Sequence, residues 1–257
     1  MIENTVKTHI ATSDATSITV RGHDLVNDLI GKRTFTEMVY FLVRGRMPNE
    51  SQTKVLDACL ITLMEHGWTP TSLIARLAID SVPNQAQVGI AAGLLAIGDV
   101  FVGTMEGCGR VLADGINESD QDAYCRKVVA DHRAARKSMP GFGHPFHKPD
   151  DPRPPRLFAV ARECGCEGRY IDLLQRLAVE LDRAAGRHLT INATGAMGAL
   201  LLEIDIPPDA MRSMAVISRA GGLAGHLVEE RQTHAARKIW QLVEENIPYE
   251  EWPADPL

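Results

Sequence analysis

Fourteen residues, Pro140 through Arg153, combine a proton-transfer group, an anion-binding group and a glycine-rich backbone. The run Pro140-Gly141-Phe142-Gly143-His144-Pro145 is followed after a short gap by Asp151-Pro152-Arg153. Gly141 and Gly143 permit positive φ or close approach of the main chain to a ligand. Pro140, Pro145 and Pro152 stiffen the loop, so the histidine is presented on a restrained turn. Histidine changes charge near neutral pH and suits general acid or base work. Arginine offers a planar fork that matches a carboxylate. On composition alone, a surface turn that happens to hold a His and an Arg is an equal alternative. His66, near the end of an apolar-periodic stretch, reads locally as a cap for helix carbonyls, and Arg153 and Arg219 as surface ion-pair residues. His147 makes a His-x-x-His pair with His144, but no further convergent ligand is evident, so no metal site is expected. Cys164 and Cys166 lack zinc partners for the same reason and read as loop packing.

The elements that must position these groups read as helices. Thr34 with Glu37 forms a capping box ahead of Met38, Phe41 and Leu42. Asn49 with Gln52 caps a stripe of Leu56, Leu60, Leu63 and Met64 that stops near Gly67. Ser119 is the expected cap of the charged stretch through Val128 and Val129, and Leu174, Leu177, Ala178 and Leu181 form an apolar face before Gly186. Only Thr8 to Val20 alternates as a strand does, which predicts a small hairpin. The chain reads as all-α in class, without internal repeats. Breaks rich in Gly, Pro and charge fall at 103–118, 138–155 and 186–190.

Bulk properties exclude several function classes. A chain of 257 residues, 45% hydrophobic and 5% aromatic, can bury a sizeable core in one or two domains. No apolar run is long enough to span a bilayer, and the opening Met-Ile-Glu-Asn-Thr lacks the basic start and apolar run of a signal peptide. Five cysteines without framework spacing point to a reduced, cytoplasmic setting. A net charge of −6 argues against a nucleic-acid binder, so an anionic substrate requires locally concentrated arginines.

The Gly-x-Gly-His-Pro loop ending in Asp-Pro-Arg resembles the central signature of the citrate synthase superfamily. Three further segments fall into register: Val20-Arg21-Gly22-His23-Asp24-Leu25 with Gly45-Arg46-Met47-Pro48; His66-Gly67-Trp68-Thr69-Pro70-Thr71-Ser72 with Ala75-Arg76; and Ser218-Arg219-Ala220-Gly221-Gly222 through His226 and Glu229-Glu230. The match runs in order along about the whole chain, whose length is nearer to the short citryl-CoA lyases than to the synthases. The resemblance implies a two-domain helical fold, with a large domain of 1–103 and 196–257 and a small, CoA-side domain of 104–195 inserted in it. It implies that His144 is catalytic, that His66, Arg153 and Arg219 hold substrate carboxylates, and that Arg237 is an arginine donated across a subunit boundary. Gly141, Phe142, Gly143 and Lys148 fall on the side expected to meet coenzyme A. The thioester would be a substrate, with no covalently bound cofactor, and the protein a homodimer or larger assembly.

Two positions depart from the family pattern. Phe101, in Gly98-Asp99-Val100-Phe101-Val102-Gly103, stands where the first catalytic histidine belongs, and Thr194, in Ile191-Asn192-Ala193-Thr194-Gly195, where the catalytic aspartate belongs. Phe101 cannot donate a hydrogen bond to an enolate, and Thr194 cannot act as a base near neutral pH. Backbone N–H groups of the Gly103 turn could supply an oxyanion site. Asp99, Glu106, His147 and His188 are the candidate replacements for the base, and Glu106 also matches a family glutamate that follows the histidine turn, where orienting that loop is its alternative role. The implied reaction is cleavage of citryl-CoA, or a relative, to an acyl-CoA and a keto acid. Alternatives are a different acyl-CoA substrate on the same fold, or a CoA- and carboxylate-binding homologue without catalysis.

Overall fold

The computed structural model describes residues 6–252; residues 1–5, the opening segment considered for a leader above, and residues 253–257 lie outside the description. Fifteen short elements follow one another among the described residues. Strands β1 (Ala11–Ser13), β2 (Ile18–Val20) and β3 (His23–Asp24) form an antiparallel sheet in that order, with Thr12 opposite Thr19 and Val20 opposite His23. The hairpin expected from alternation is present, and β3 extends it. Asp24 then caps a π-helical turn, Leu25–Leu29, by accepting from Val26 and Asn27 N–H, and Ile30 N–H closes the wide turn on Leu25 C=O at 3.0 Å.

Helices account for the rest: α1 (Phe35–Arg44), α2 (Glu50–Met64), α3 (Pro70–Ser81), α4 (Ala86–Leu94), α5 (Thr104–Gly115), α6 (Gln121–Ala134), α7 (Arg153–Glu163), α8 (Arg169–Ala185), α9 (Ala193–Glu203), α10 (Pro208–Thr233) and α11 (Ala235–Asn246). The Thr34–Glu37 capping box opens α1 with both reciprocal bonds, and Asn49 and Gln52 exchange the equivalent pair at α2. At α6 the cap is Asp120, one residue beyond Ser119, because its carboxylate accepts from Ala123 N–H at 2.8 Å. Gly186 ends α8 in the left-handed conformation, as the apolar stripe before it predicts.

The chain forms two compact units: 1–62 with 104–212, and 63–103 with 213–257. The chain passes between the units at 62/63, 103/104 and 212/213, and α9 packs on α5, α7 and α8 within the first unit. Helix α9 is the centre of that unit, with every residue from Gly195 to Leu202 buried. The apolar face of α8 and the buried Met105, Cys108 and Leu112 of α5 belong to the same core, and Tyr40 closes it by donating its hydroxyl to Ile204 C=O at 3.0 Å. In the second unit, Ala75 and Ile79 of α3 meet Leu223 and Leu227 of α10, with Ile90 and Leu94 of α4 against them. Gly89 and Gly93 let α4 approach closely, since a Cβ on Gly93 would lie 2.8 Å from the Leu223 side chain. None of the described helices is long and apolar enough to cross a membrane.

Candidate active site

The His144 loop is built onto the start of α9. Gly141 and Gly143 both have positive φ, +88° and +76°. Gly141 C=O accepts from Asn192 N–H at 3.0 Å, Gly143 N–H donates to Thr190 C=O at 2.8 Å, and the Asn192 amide donates to Gly143 C=O at 2.9 Å. Phe142 pairs with Ile191 as a single antiparallel bridge. The two main chains touch: a Cβ on Gly141 would lie 2.7 Å from Gly195 Cα, and one on Gly195 would run into Gly141 C=O. Cys108 lies beneath this contact, its buried thiol pushed up to about 12 and so inert as a nucleophile.

His144 Nδ1 accepts the N–H groups of Phe146 (3.2 Å) and His147 (3.0 Å). The neutral ring therefore carries its proton on Nε2. That nitrogen lies 3.5 Å from Arg153 Nη2, and the His147 ring stacks on His144 with centroids 4.3 Å apart. Arg153 is not a loose surface cation. Its Nε and Nη2 form a fork on Asp151, at 2.9 and 2.7 Å, and Asp151 is 1% exposed.

Asp151, part of the motif but given no role by it, is the buried centre of this cluster. Its carboxylate also accepts the backbone N–H of Arg153 at the start of α7 and of Ala193 at the start of α9, at 3.0 and 3.1 Å. Two helix N-termini and a guanidinium thus converge on one buried carboxylate. Burial pushes the Asp151 carboxyl up, but the Arg153 bonds and charge and the Ala193 N–H together outweigh it and hold it below its ordinary value. The signal was its place ahead of Pro152 and Arg153, where a short acid caps a helix.

The residues at the departures and their possible substitutes are placed as follows. The Thr194 hydroxyl donates to Asn192 Oδ1 at 2.7 Å and lies 2.8 Å from the Thr104 hydroxyl, so its proton is committed locally. Glu106 is tied to Arg110 at 2.8 Å and Arg212 at 3.0 Å. His188 lies between Asp182 (2.6 Å) and Asp150 (2.8 Å), whose bonds occupy both ring nitrogens and raise its pKa. Neither is available as a base. Lys148 is exposed. Phe101 belongs to the second unit, half-exposed on a turn where Gly103 N–H donates to Gly98 C=O at 2.9 Å and Val102 takes a positive φ of 73°.

In the second unit, one face of α10 carries Arg219, Gly222, His226 and Glu230 at helical spacing. Arg76, 1% exposed on α3, donates Nε to His226 Nδ1 at 2.9 Å and Nη1 to Glu230 at 3.0 Å, bonds Glu229, and stacks its guanidinium 4.6 Å from the Trp68 ring centre. Arg219 is 6% exposed, and its Nη1 has no hydrogen-bond partner. Burial pushes this guanidinium below its ordinary pKa while the Glu65 charge opposes the shift. His66 is exposed beside Glu65, to whose Oε1 its backbone N–H donates at 2.9 Å. Arg237 is apart from this cluster, exposed and paired with Asp80 at 3.2 Å.

A helical first unit whose glycine loop presents a histidine beside an arginine–aspartate fork, and a second whose long helix carries a buried arginine, define the citrate synthase class of architecture. The model of the citrate synthase C-terminal domain matches residues 48–241, and the chain belongs to that family. The chain is similar over nearly its whole length to the citryl-CoA lyase of Hydrogenobacter thermophilus, with 28% identity, a TM-score of 0.85, and coverage of 98% of this chain and 97% of that one. The ATP citrate lyase of Methanothrix soehngenii, solved in complex with citrate and coenzyme A, shares the fold at 18% identity and a TM-score of 0.81, over 97% of this chain and 42% of that one. A citrate synthase of Acidithiobacillus ferridurans is 26% identical over 198 residues, 74% of this chain. The chain spans about half the length of the curated synthases it matches.

Proposed function

We propose that this protein cleaves citryl-CoA, or a close hydroxyacyl-CoA, to an acyl-CoA and a keto acid such as oxaloacetate. The observation that carries the reading is the His144 loop, which places Nε2 beside the Arg153–Asp151 fork on a backbone stitched to α9. The nearly full-length likeness to a citryl-CoA lyase supports it. His144 exchanges the proton of the tertiary hydroxyl. Arg153, Arg219 and His66 hold carboxylates, and Gly141, Phe142, Gly143 and Lys148 lie toward the coenzyme. In a homodimer or larger assembly, Arg237 is the arginine offered to a neighbouring copy. With Thr194 in place of a carboxylate, water reprotonates the departing enolate, an easier task than removing a proton from a thioester. Phe101 adds an apolar wall where other members have a donor.

One observation favours the opposite direction. Nδ1 is held as an acceptor, so Nε2–H is the donor form that protonates a keto-acid oxygen during bond formation. Cleavage starts instead from a ring protonated on Nδ1, with the Phe146 and His147 N–H groups turned aside. The test is the release of oxaloacetate and acetyl-CoA from citryl-CoA by wild type and His144→Ala, with condensation of the same products measured alongside. Turnover lost in the variant is expected, and the faster direction identifies the working reaction. A wild type that releases nothing from citryl-CoA would overturn the reading.

A further inference from the structure

Residues 188–192 form a seam on which both ends of the glycine loop hang. At the near end, Gly143 N–H donates to Thr190 C=O, Phe142 bridges Ile191, and Asn192 bonds Gly141 and Gly143. At the far end, Asp151 N–H donates to Thr190 Oγ1 at 2.9 Å, and the Asp151 carboxylate accepts Ala193 N–H at 3.1 Å. Asp150, one residue earlier, meets the seam through the His188 ring, with Oδ1 2.8 Å from Nε2.

His188 is held on its other side as well. Its Nδ1 lies 2.6 Å from Asp182 Oδ2, and Asp182 Oδ1 accepts the Leu189 N–H at 2.7 Å, which fixes that carboxylate near the end of α8. A carboxylate offers lone pairs only, so a ring bonded to one at each nitrogen donates from both. Only the imidazolium has two N–H groups. The neutral ring has one and must release a carboxylate. Asp182 keeps a second donor in Leu189 and is 32% exposed, whereas Asp150 is 66% exposed, so the bond to Asp150 is the one given up. Asp182 on α8 and Asp150 on the loop are the charged groups that act on the ring, and their bonds favour its charged form.

We propose that His188 is a positioning residue: as an imidazolium it clamps Asp150 to Asp182, and so holds the adjoining Asp151–Arg153 fork in place beside His144. The neutral ring releases the clamp. This rests on the reading that His144 moves a proton next to that fork, and it adds a control on how firmly the fork is held. His188 acts through Asp150 and exchanges no proton with a substrate. Because its pKa is raised, clamping is complete below the ordinary histidine value and is lost as pH rises through the higher folded value.

The test compares wild type, His188→Gln and His188→Arg across pH. Arginine stays charged throughout and donates from several N–H groups, so it supplies the imidazolium's bonds without its titration. Amide hydrogen exchange at Asp151, whose N–H is bonded to Thr190, should be about threefold better protected in wild type than in His188→Gln at low pH, the scale of one partly exposed ion pair. The difference should close once the ring is neutral, while His188→Arg keeps its protection on the alkaline side. Turnover of citryl-CoA, measured at the same pH values, should follow the same pattern. Protection at Asp151 that is equal in all three proteins, or that differs by a factor independent of pH, would overturn the inference. Protection that follows His188 in a protein unable to cleave citryl-CoA would support the clamp and sink the proposed function instead.

Discussion

The glycine loop of the first unit and the arginine face of the second handle buried charge in opposite ways. In the loop, Asp151 spends its lone pairs on Arg153 and two helix N-termini, and the flanking peptide groups are paired across to Thr190 and Asn192. Against α10, Arg76 of α3 has three partners and His226 Nε2 faces Glu65 at 2.9 Å, while the buried Arg219 Nη1 has none. A region whose internal hydrogen bonds are complete holds geometry and leaves one reactive atom to present. A region with an unmatched buried cationic donor is one that an arriving negative charge would complete. On the proposed function, the contrast separates a group that moves a proton from groups that hold a ligand.

The largest effect that could break this contrast is loss of proton transfer. His144→Ala should lower turnover on the order of a thousandfold while the unfolding temperature stays nearly constant, because the loop is held by main-chain bonds. Steady-state rates with thermal unfolding check both halves. Next in size is Arg76→Met, which leaves Glu230 charged and buried. It should cost about 3–5 kcal/mol in urea unfolding, far more than any exposed pair such as Arg237 with Asp80.

Gly195→Ala sharpens the comparison from the other side. Its new Cβ would strike Gly141 C=O, so we expect about 1–3 kcal/mol of destabilisation and a fall in turnover through displacement of the loop, measured by unfolding and kinetics on the same sample. The smallest effect belongs to His188. Its pKa is raised by Asp182 and Asp150, so its contribution is complete below its ordinary value and is lost as pH rises through the higher folded value. Half-exposed, it contributes less than about 1 kcal/mol, and the stability difference between wild type and His188→Gln should vanish at alkaline pH.

Local chemistry was legible in the sequence. The boxes at Thr34 and Asn49, the stop at Gly186 and the hairpin before Val20 each depend on residues a few positions apart. Ser119 and Asp120 are adjacent residues that both cap well, and only the path of the chain chose the second. The π turn after Asp24 leaves no periodic trace, because five residues are too few to repeat. Within the site, the Gly-x-Gly-His-Pro motif marked the loop, but the fates of Glu106 and His188 were not legible. Their partners, Arg212 and Asp150, are 106 and 38 residues away, and charge type alone does not reveal which distant group will neutralise it. Arg76 was visible only as part of a motif, since its partners lie 150 or more residues downstream.

The contact between Gly141 and Gly195 has a consequence for how such a chain can diversify. With no side chain between the two backbones, neither glycine tolerates replacement unless the other segment retreats, so the positions are bound to one history. Innovation is diverted to their neighbours. Thr194 abuts this contact, and its own side chain bonds the Thr104 hydroxyl and the Asn192 amide oxygen. A lineage can therefore exchange its chemical outfit at position 194 while the frame that aims His144 is inherited unchanged.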